Sequence, residues 1–328
     1  MFVEAIESIL MDRCTTKAIR EIEGGATPAP LWSAFAQSGF LELLTPERLG
    51  GAGIALEALF PIIECFGRYA VPLPLAQSIV ARALLVLYDV PVPDGMFTLA
   101  AAHEGAGQNE SVFAQYGAIA DVVLIEQDGD LLMRQCAHAT RTATGVHGSL
   151  SATLRWERGS RADCHVAGAG HVLRAYAASI HAALLAGAMN RVLAMSLQYA
   201  NDRSQFGKPI GKFQAIQQQL AVMAEQVAAA NIAAELGFKG ENGSPDPMLA
   251  VIAKARTSEA VTAVVATAHA LHGAIGVTEE YDLQLFTRRM HEWRMAHGSE
   301  HYWNTMVGEA LLSSGRLVAD FVREPNRC

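Results

Sequence analysis

Residues 199–224 read YANDRSQFGKPIGKFQAIQQQLAVMA, and the fold prediction rests on them. Within this stretch Arg203 lies just before a Gly-Lys-Pro turn, and a helical pattern follows the turn. Because a helix N-terminus carries unpaired backbone N–H groups and a partial positive charge, this arrangement suits an anionic pyrophosphate. An isolated R-x-Q-F-G would instead indicate a helix–turn–helix with a solvated arginine and a buried phenylalanine.

A second glycine-containing segment, ALHGAIGVTEEYDLQLFTRR, covers residues 270–289. Glycine has no Cβ and therefore lets the backbone approach a ligand closely, which makes HGAIG a candidate ligand contact. Glycine turns are also common at the ends of helices, so HGAIG alone is a weak signal.

Around these two segments the chain divides into three zones of different composition. Residues 1–94 show apolar residues at three- and four-residue spacing, which predicts helices, interrupted by Gly- and Pro-rich turns. Residues 97–171 contain short apolar runs between turn residues, which predict a small β domain. Residues 172–328 return to long Ala-rich helical patterns, which predict a four-helix bundle. The predicted fold is therefore mainly α with a small β domain.

Individual elements can be placed within each zone. In the first zone the helical stretches are FVEAIESILMDR, LWSAFAQSGFLELL and ALEALFPIIECFGRYA. In the second zone the strand-like runs are FTLAAA, ADVVLIEQ, DLLMRQCA and SATLRWE. In the third zone we predict long helices over residues 174–201, 212–238 and 248–272, followed by HGAIG and a further helical run, YDLQLFTRRMHEW.

Three stretches together resemble the acyl-CoA dehydrogenase family. Residues 199–224 match that family's Y-A-x-x-R-x-Q-F-G-x-x-I-x-x-F-Q pattern, and residues 270–289 are similar to its Q-x-H-G-G-x-G-x-T-x-E segment. Residues 31–59 resemble its N-terminal helical domain, including an L-x-P-E-x-x-G-G-x-G loop. The resemblance is strongest to the short acyl-CoA dehydrogenases of steroid and bile-acid breakdown, which generally pair two different subunits in heterotetramers.

The resemblance implies a flavoprotein that binds FAD, oxidises an acyl-CoA and passes electrons to an electron-transfer flavoprotein. In the family, the R-x-Q-F-G segment reaches across a subunit interface to the neighbour's flavin. The sequence departs from the family at Ala270 and Ala274, which replace a Gln and a Gly, and residues 97–171 contain no T-E-P-x-x-G-S-D-like segment. The residues that the resemblance assigns to flavin binding are Arg203, Gln205, Phe206, Gln214, His272, Gly273 and Gly276.

The family's reaction also requires a carboxylate that takes the α-proton while the flavin accepts the β-hydrogen as hydride. A glutamate suits this role because desolvation raises its pKa toward neutrality. One family position for it lies in a Y-E-G-T-like loop, and counting forward from Glu280 and Tyr281 places that position at His297. The other lies near the start of the long helix, where residues 177–184 read AASIHAAL. Neither position holds a carboxylate, so no catalytic residue is assigned.

Three interpretations of this loss compete. In the first, His297 is the base, with His181 as a second participant, because imidazole is a competent general base near neutral pH. In the second, Glu300 or Glu292 replaces the base through a shifted loop, although such a shift would redirect the side chain. In the third, the chain is a non-catalytic subunit that contributes flavin-binding surface to a second acyl-CoA dehydrogenase-like chain. The loss of both carboxylates and the short β domain favour the third, with a homo-oligomer as the alternative assembly.

Two other classes of function were compared with these. A scaffold that keeps the fold but binds no flavin is opposed by the intact R-x-Q-F-G segment. A metal-dependent hydrolase is suggested by the nearby residues His291, His297, Glu300 and His301, but their spacing does not give H-E-x-x-H. The sequence therefore predicts no metal site.

The composition of the chain argues against several further classes of protein. The formal net charge of −8 and the absence of a Lys/Arg cluster argue against nucleic-acid binding. The N-terminus is acidic where a signal peptide would be basic, and the apolar stretch AASIHAALLAGAM is expected to be too short and interrupted to span a bilayer. Scattered cysteines without C-x-x-C spacing indicate a reducing compartment, so we expect a soluble cytoplasmic protein. The cysteines are Cys14, Cys65, Cys136, Cys164 and Cys328.

Overall fold

The fold was analysed in a computed structural model that describes residues 2–102 and 111–323. Residues 103–110 of the predicted β domain lie outside this range, as do Met1, Cys328 and the rest of the last five residues. The prediction of a mainly α fold with a small β domain and a C-terminal bundle is confirmed.

The N-terminal zone contains five helices that pack around a shared apolar core. The helices are α1 (Phe2–Arg13), α2 (Thr16–Glu23), α3 (Ala29–Gln37), α4 (Leu56–Arg68) and α5 (Leu75–Leu87). The prediction missed α2, which is short and rich in charge, and α5, which begins directly after Pro74. The helix predicted over LWSAFAQSGFLELL ends earlier than expected, because Gly39 adopts a left-handed conformation after α3.

In the described part of the middle zone, which leaves out residues 103–110, seven strands form two small sheets. The strands are β1 (Phe97–Ala101), β2 (Ser111–Ala114), β3 (Val122–Gln127), β4 (Asp130–Gln135), β5 (Thr140–Ala143), β6 (Ala152–Arg155) and β7 (Cys164–Val166). One sheet has the order β1-β3-β4-β7, with β1 parallel to β3, and the other has the order β2-β6-β5 and is antiparallel. The four predicted strands are present; β2, β5 and β7 were missed because each is short and only weakly apolar.

The C-terminal zone is a bundle of long helices. Its helices are α6 (Gly170–Asp202), α7 (Gln214–Leu236), α8 (Pro247–His272), α9 (Leu283–Met295), α10 (Glu300–Ser314) and the short α11 (Val318–Arg323). Between them lie two short hairpins, β8 (Ser204–Gln205) with β9 (Lys208–Pro209), and β10 (Gly240–Glu241) with β11 (Ser244–Pro245). Asp246 caps α8 by accepting hydrogen bonds from the N–H groups of Met248 and Leu249, and Pro247 occupies the first helical position.

Helix α6 is the central helix of the molecule, and α4 crosses it at backbone contact. A Cβ on Gly187 would lie 1.9 Å from the carbonyl oxygen of Glu64, and a Cβ on Gly67 would lie 2.1 Å from that of Leu184. Only glycine fits at both points, so this crossing fixes the N-terminal helices against the bundle.

Among the residues that the structure describes, two helical segments are long and apolar enough to cross a membrane by length and composition, Gly170–Asp202 and Pro247–Val277. The expectation that the AASIHAALLAGAM stretch is too short was therefore wrong, since α6 extends that stretch to 33 residues. The apolar window of α6 is 89% buried inside the protein, as in the core helix of a bundle, whereas that of the second segment is 39% buried.

A buried ion-pair cluster joins the three zones. The carboxylate of Glu23, at the end of α2, accepts hydrogen bonds from Arg288 at 2.9 Å and from Arg289 at 2.5 Å, both on α9. The guanidinium of Arg289 also donates to the hydroxyl of Tyr116, which follows β2, at 3.4 Å. Because the side chains of Glu23 and Arg289 are buried, removing either one would leave the other as an uncompensated charge inside the protein.

Candidate active site

The predicted base position, His297, lies in the tight turn between α9 and α10. Its φ is 55°, a left-handed conformation that histidine adopts more readily than most residues. The next residue, Gly298, has φ 117°, and a Cβ there would lie 2.5 Å from the ring of Tyr302. The turn therefore needs glycine at position 298 and directs the His297 side chain back toward the β domain.

His297 faces a pocket of about 230 Å³, called the His297 pocket below. Its walls are the end of β1, Phe113 and Gln115 from the β2 region, and the turn itself. Among the described residues that line it there is no carboxylate; residues 103–110 lie outside that description. Within the described parts of the chain, the ring nitrogens of His297 have no hydrogen-bond partner.

His181 approaches the same place from α6. Its ring centroid lies 5.1 Å from that of His297, and its Nδ1 donates to the carbonyl oxygen of Ala177 at 2.7 Å. Its Nε2 lies 2.8 Å from Oε1 of Gln115, and Gln115 in turn donates to the carbonyl oxygen of Glu292. The structure thus brings together both positions where the family's carboxylate was sought, and each has an imidazole at or beside it.

Both imidazoles are held in the neutral form. Burial, reinforced by the nearby Lys254 cation, lowers the pKa of His297 from 6.5 to about 4. Burial, together with the charges of His297 and Lys254, lowers the pKa of His181 well below its usual value. Desolvation penalises a cation in the same way that it penalises an anion, so these histidines are weaker bases than histidines in water.

The two alternative carboxylates do not reach the His297 pocket. Glu300 forms an ion pair with Arg294, whose hydrogen bonds lower the pKa of Glu300. Glu292 lies beside a separate small cavity with Tyr116 and Trp293, although one of its oxygens is buried without a partner in the described chain. Neither residue lines the pocket, which weakens the shifted-loop interpretation.

Two residues of this region escaped the sequence analysis, Lys254 and Gln115. Lys254 is fully buried on α8, and its signal was a lone lysine on the apolar face of VIAKARTSEA. Gln115 follows a short strand, and nothing in its local sequence distinguishes it.

The residues assigned to flavin binding lie at the far end of α6. Arg203 directly follows α6 as its C-cap, Gln205 and Phe206 belong to the β8–β9 hairpin, and Gln214 begins α7. Phe206 is 91% exposed with φ 51°. The side chains of Arg203, Gln205 and Gln214 are exposed and make no hydrogen bond within the described residues.

The HGAIG segment lies against this end of α6. The ring of Tyr199 lies 4.3 Å from the ring of His272, and its hydroxyl donates to the His272 carbonyl oxygen at 3.4 Å. Gly273 has φ 63° and nothing within 4 Å of the place of its Cβ, while Gly276 packs against His272 and Leu283. The structure thus brings the two predicted cofactor segments together.

Comparison with known proteins identifies the family of the chain. The family description "Acyl-CoA dehydrogenase, C-terminal domain" matches residues 172–312. The chain is 30% identical over 305 residues to acyl-CoA dehydrogenase IpdE2 of Mycolicibacterium smegmatis, covering 88% of this chain and 90% of that protein. The chain belongs to the acyl-CoA dehydrogenase family. It is therefore an oxidoreductase by family, one that acts on CH–CH bonds, and members of the family are FAD-binding flavoproteins.

Solved structures agree with the fold of this acyl-CoA dehydrogenase. The ChsE4-ChsE5 complex from Mycobacterium tuberculosis matches with a TM-score of 0.79 and 21% identity, covering 94% of this chain and 96% of that one. The structure described as "Tcur3481-Tcur3483 steroid ACAD G363A variant" matches with a TM-score of 0.79 and 22% identity, covering 95% and 97%.

The described residues of this acyl-CoA dehydrogenase fit FAD, which supplies hydride acceptance when bound. Exposed Arg203 offers a cation, and Gly273 leaves room for backbone to approach a pyrophosphate. The Nε2 atom of His272 is buried without a hydrogen-bond partner in the described chain, which leaves a polar atom for a ligand. Ala270 is exposed at the end of α8 and does not fill the space beside Gly273.

The two halves of the site lie far apart within this one chain. The His297 pocket lies near His181, and the cofactor segments lie near Tyr199 on the same helix α6. Eighteen residues of α-helix span about 27 Å, far more than the ribityl chain that joins a flavin ring to its pyrophosphate. Only a ligand extended over most of this length could contact both places in one chain.

Proposed function

We propose that this chain is the non-catalytic subunit of a heteromeric, FAD-dependent acyl-CoA dehydrogenase. Its Arg203 hairpin and HGAIG segment contribute to a flavin that lies mainly in a second acyl-CoA dehydrogenase-like subunit. That subunit supplies the carboxylate for removal of the α-proton.

The basicity of the His297 pocket carries this proposal. A glutamate gains basicity when it is buried, because desolvation raises its pKa. A histidine loses basicity for the same reason, and the pKa of His297 is lowered to about 4. The weakly acidic α-proton of a thioester needs a stronger base, so the substitution at 297 removes the proton acceptor.

The separation along α6 supports the second part of the proposal. The exposed Arg203, Gln205 and Phe206 side chains lie beyond Tyr199, which is itself about 27 Å along α6 from His181 beside the His297 pocket, so they suit a flavin held by a neighbour. Exposed Phe206 on such a surface is also typical of a residue that a partner covers.

We further propose that the complex acts on the CoA thioester of a bulky, steroid-like acid. The support is the description of one structural neighbour as a "steroid ACAD" and of another as the ChsE4-ChsE5 complex. An electron-transfer flavoprotein is proposed as the acceptor.

A self-sufficient homo-oligomer with His297 as base is the second candidate. The observation that favours it is the imidazole itself, which faces the pocket with both ring nitrogens free of partners in the described residues. A scaffold that binds no flavin is a third candidate, which the fit of Arg203 and Gly273 to FAD opposes.

Activity of the co-expressed complex distinguishes these candidates. We expect His297→Gln to change kcat less than twofold, as does the control His301→Gln on the exposed side of α10. A fall of about 10²- to 10⁴-fold for His297→Gln alone would identify His297 as the base.

Flavin content tests the cofactor surface independently. We expect stoichiometric flavin in the complex, little in the chain alone, and a clear loss of flavin from the complex with Arg203→Ala. The control is Arg48→Ala, an exposed arginine in the N-terminal zone. Full flavin content with Arg203→Ala would remove Arg203 from the cofactor site, and a complex without flavin would favour the scaffold.

A further inference from the structure

Lys254 is the only fully buried lysine in the described chain, and it lies on α8 behind the His297 turn. Its Nζ donates to the hydroxyl of Ser258 at 2.8 Å, to the carbonyl oxygen of Arg294 at 2.8 Å and to that of Gly298 at 3.4 Å. An ammonium has three N–H groups, and all three are used within the protein. Lys254 therefore has no donor left for a substrate or cofactor.

Two of these acceptors frame the residue at the base position. Arg294 lies in the last turn of α9, and Gly298 directly follows His297. Helix carbonyl groups near a C-terminus lack intrahelical donors, so a buried cation satisfies them at low cost. The side chain of Trp303 also donates to the Gly298 carbonyl oxygen, at 3.0 Å.

We propose that Lys254 is a positioning residue. It fixes the α9–α10 turn and thereby determines how the side chain at position 297 faces the pocket. The ammonium acts in two ways that experiment can separate. Its N–H groups hold the turn, and its charge acts on the neighbouring imidazoles.

The hydrogen bonds oppose relaxation of a strained turn. His297 is held at φ 55° and Gly298 at φ 117°, a pair of left-handed residues that an unrestrained turn would not keep. Because α8 is a long packed helix, Lys254 links this turn to a rigid part of the bundle. The ion pair of Arg294 with Glu300 bridges the same turn from the solvent side.

The charge of Lys254 reinforces burial in keeping both histidines neutral. It adds to burial in lowering the pKa of His297, and it also lowers the pKa of His181. Burial lowers the pKa of Lys254 itself to about 7, with Glu300 opposing and Arg294 reinforcing that shift. These four residues, from α6, the turn, α9 and α10, are the titratable groups that act with Lys254.

The test uses variants that separate the two effects. Lys254→Met removes donors and charge, Lys254→Gln keeps N–H donors without the charge, and Ser258→Ala removes the one acceptor outside the turn. Lys17→Met, on an 84% exposed lysine, is the matched control. Hydrogen exchange of the intact complex, read by mass spectrometry, reports protection of the 294–299 backbone and the titration midpoint of each imidazole.

For Lys254→Met we expect backbone protection of the turn to fall about ten- to hundredfold, as for loss of hydrogen bonds to a charged group. The His297 midpoint should rise above about 4. Lys254→Gln should raise that midpoint while keeping more of the protection, and Ser258→Ala should change neither.

Unchanged protection and an unchanged His297 midpoint in a folded Lys254→Met complex would overturn the proposal. If that variant does not fold, the unmutated complex decides: an ordinary His297 midpoint near 6.5 together with an unprotected turn would be equally contrary. These measurements require no turnover, so their failure is distinct from failure of the proposed non-catalytic role, which concerns the same site.

Discussion

Substitution of Gly187 by alanine should separate α4 from α6. The new Cβ would lie 1.9 Å from the carbonyl oxygen of Glu64 and 2.8 Å from the backbone nitrogen of Arg68. Both atoms are backbone, so no side chain can rotate away, and the two helices must move apart by about 1.5 Å to reach ordinary contact. Gly187 lies less than two helical turns from His181, so the displacement would also reach the His297 pocket.

The magnitude follows from two opposing terms. Overpacking a tight contact costs about 1–3 kcal/mol, and a backbone clash belongs at the upper end of that range. Alanine is better than glycine inside a helix by about 1 kcal/mol, which leaves a net loss of about 2 kcal/mol. At about 2–4 °C per kcal/mol, Tm should fall by about 4–8 °C.

The control is Gly308→Ala in α10, where nothing lies within 4 Å of the new Cβ. This variant has the same propensity gain without the clash, so its Tm should rise by a few degrees. Differential scanning calorimetry of both variants measures the difference. If Gly187→Ala were as stable as Gly308→Ala, the result would contradict the close backbone contact between α4 and α6 at Gly187.

Two further variants test the buried charges. Glu23→Gln leaves Arg288 and Arg289 without their carboxylate, so the free energy of unfolding, measured by urea denaturation, should fall by about 3–5 kcal/mol. The control is Glu21→Gln, which removes an exposed ion pair and should change that free energy by less than about 0.5 kcal/mol. Equal losses in the two variants would show that the Glu23 cluster contributes little to stability. His297 takes up a proton below pH 6.5 when unfolded but only near pH 4 when folded, so it contributes stability above pH 6.5 that disappears as the pH falls to about 4. Compared with His297→Gln, the unmutated protein should lose about 3 kcal/mol more over that interval, and parallel pH profiles would contradict the lowered pKa.

The sequence predicted the long helices well. Helices α6, α7 and α8 are Ala-rich runs of more than twenty residues, long enough for the helical spacing of apolar residues to be recognised in the sequence. Each observed boundary lies within a few residues of its prediction. The assignment of the family's base position to His297 rests on an ungapped count from the glycine segment and stays a prediction.

Contacts between segments that are distant in the sequence could not be predicted from the sequence pattern. The parallel pairing of β1 with β3 and the contact between Gln115 and His181 join residues whose local sequences are ordinary. Lys254 illustrates the same limit, since a lysine on an apolar helix face can equally extend its side chain to solvent. Only the packing of α8 against the α9–α10 turn shows that its ammonium is enclosed.

A histidine in place of a glutamate at position 297 differs in how burial shifts its pKa, and not only in size or hydrogen-bonding capacity. A pocket that excludes water raises the pKa of a glutamate and lowers that of a histidine, so the same walls that make one residue a base disable the other. Keeping the pocket while exchanging the residue therefore removes basicity without disturbing the fold. Lys254 strengthens this effect through its charge while it preserves the geometry of the turn. In the proposed heteromer, such a subunit would retain the shape that its partner and cofactor require and would leave proton removal to a site where burial acts on a carboxylate.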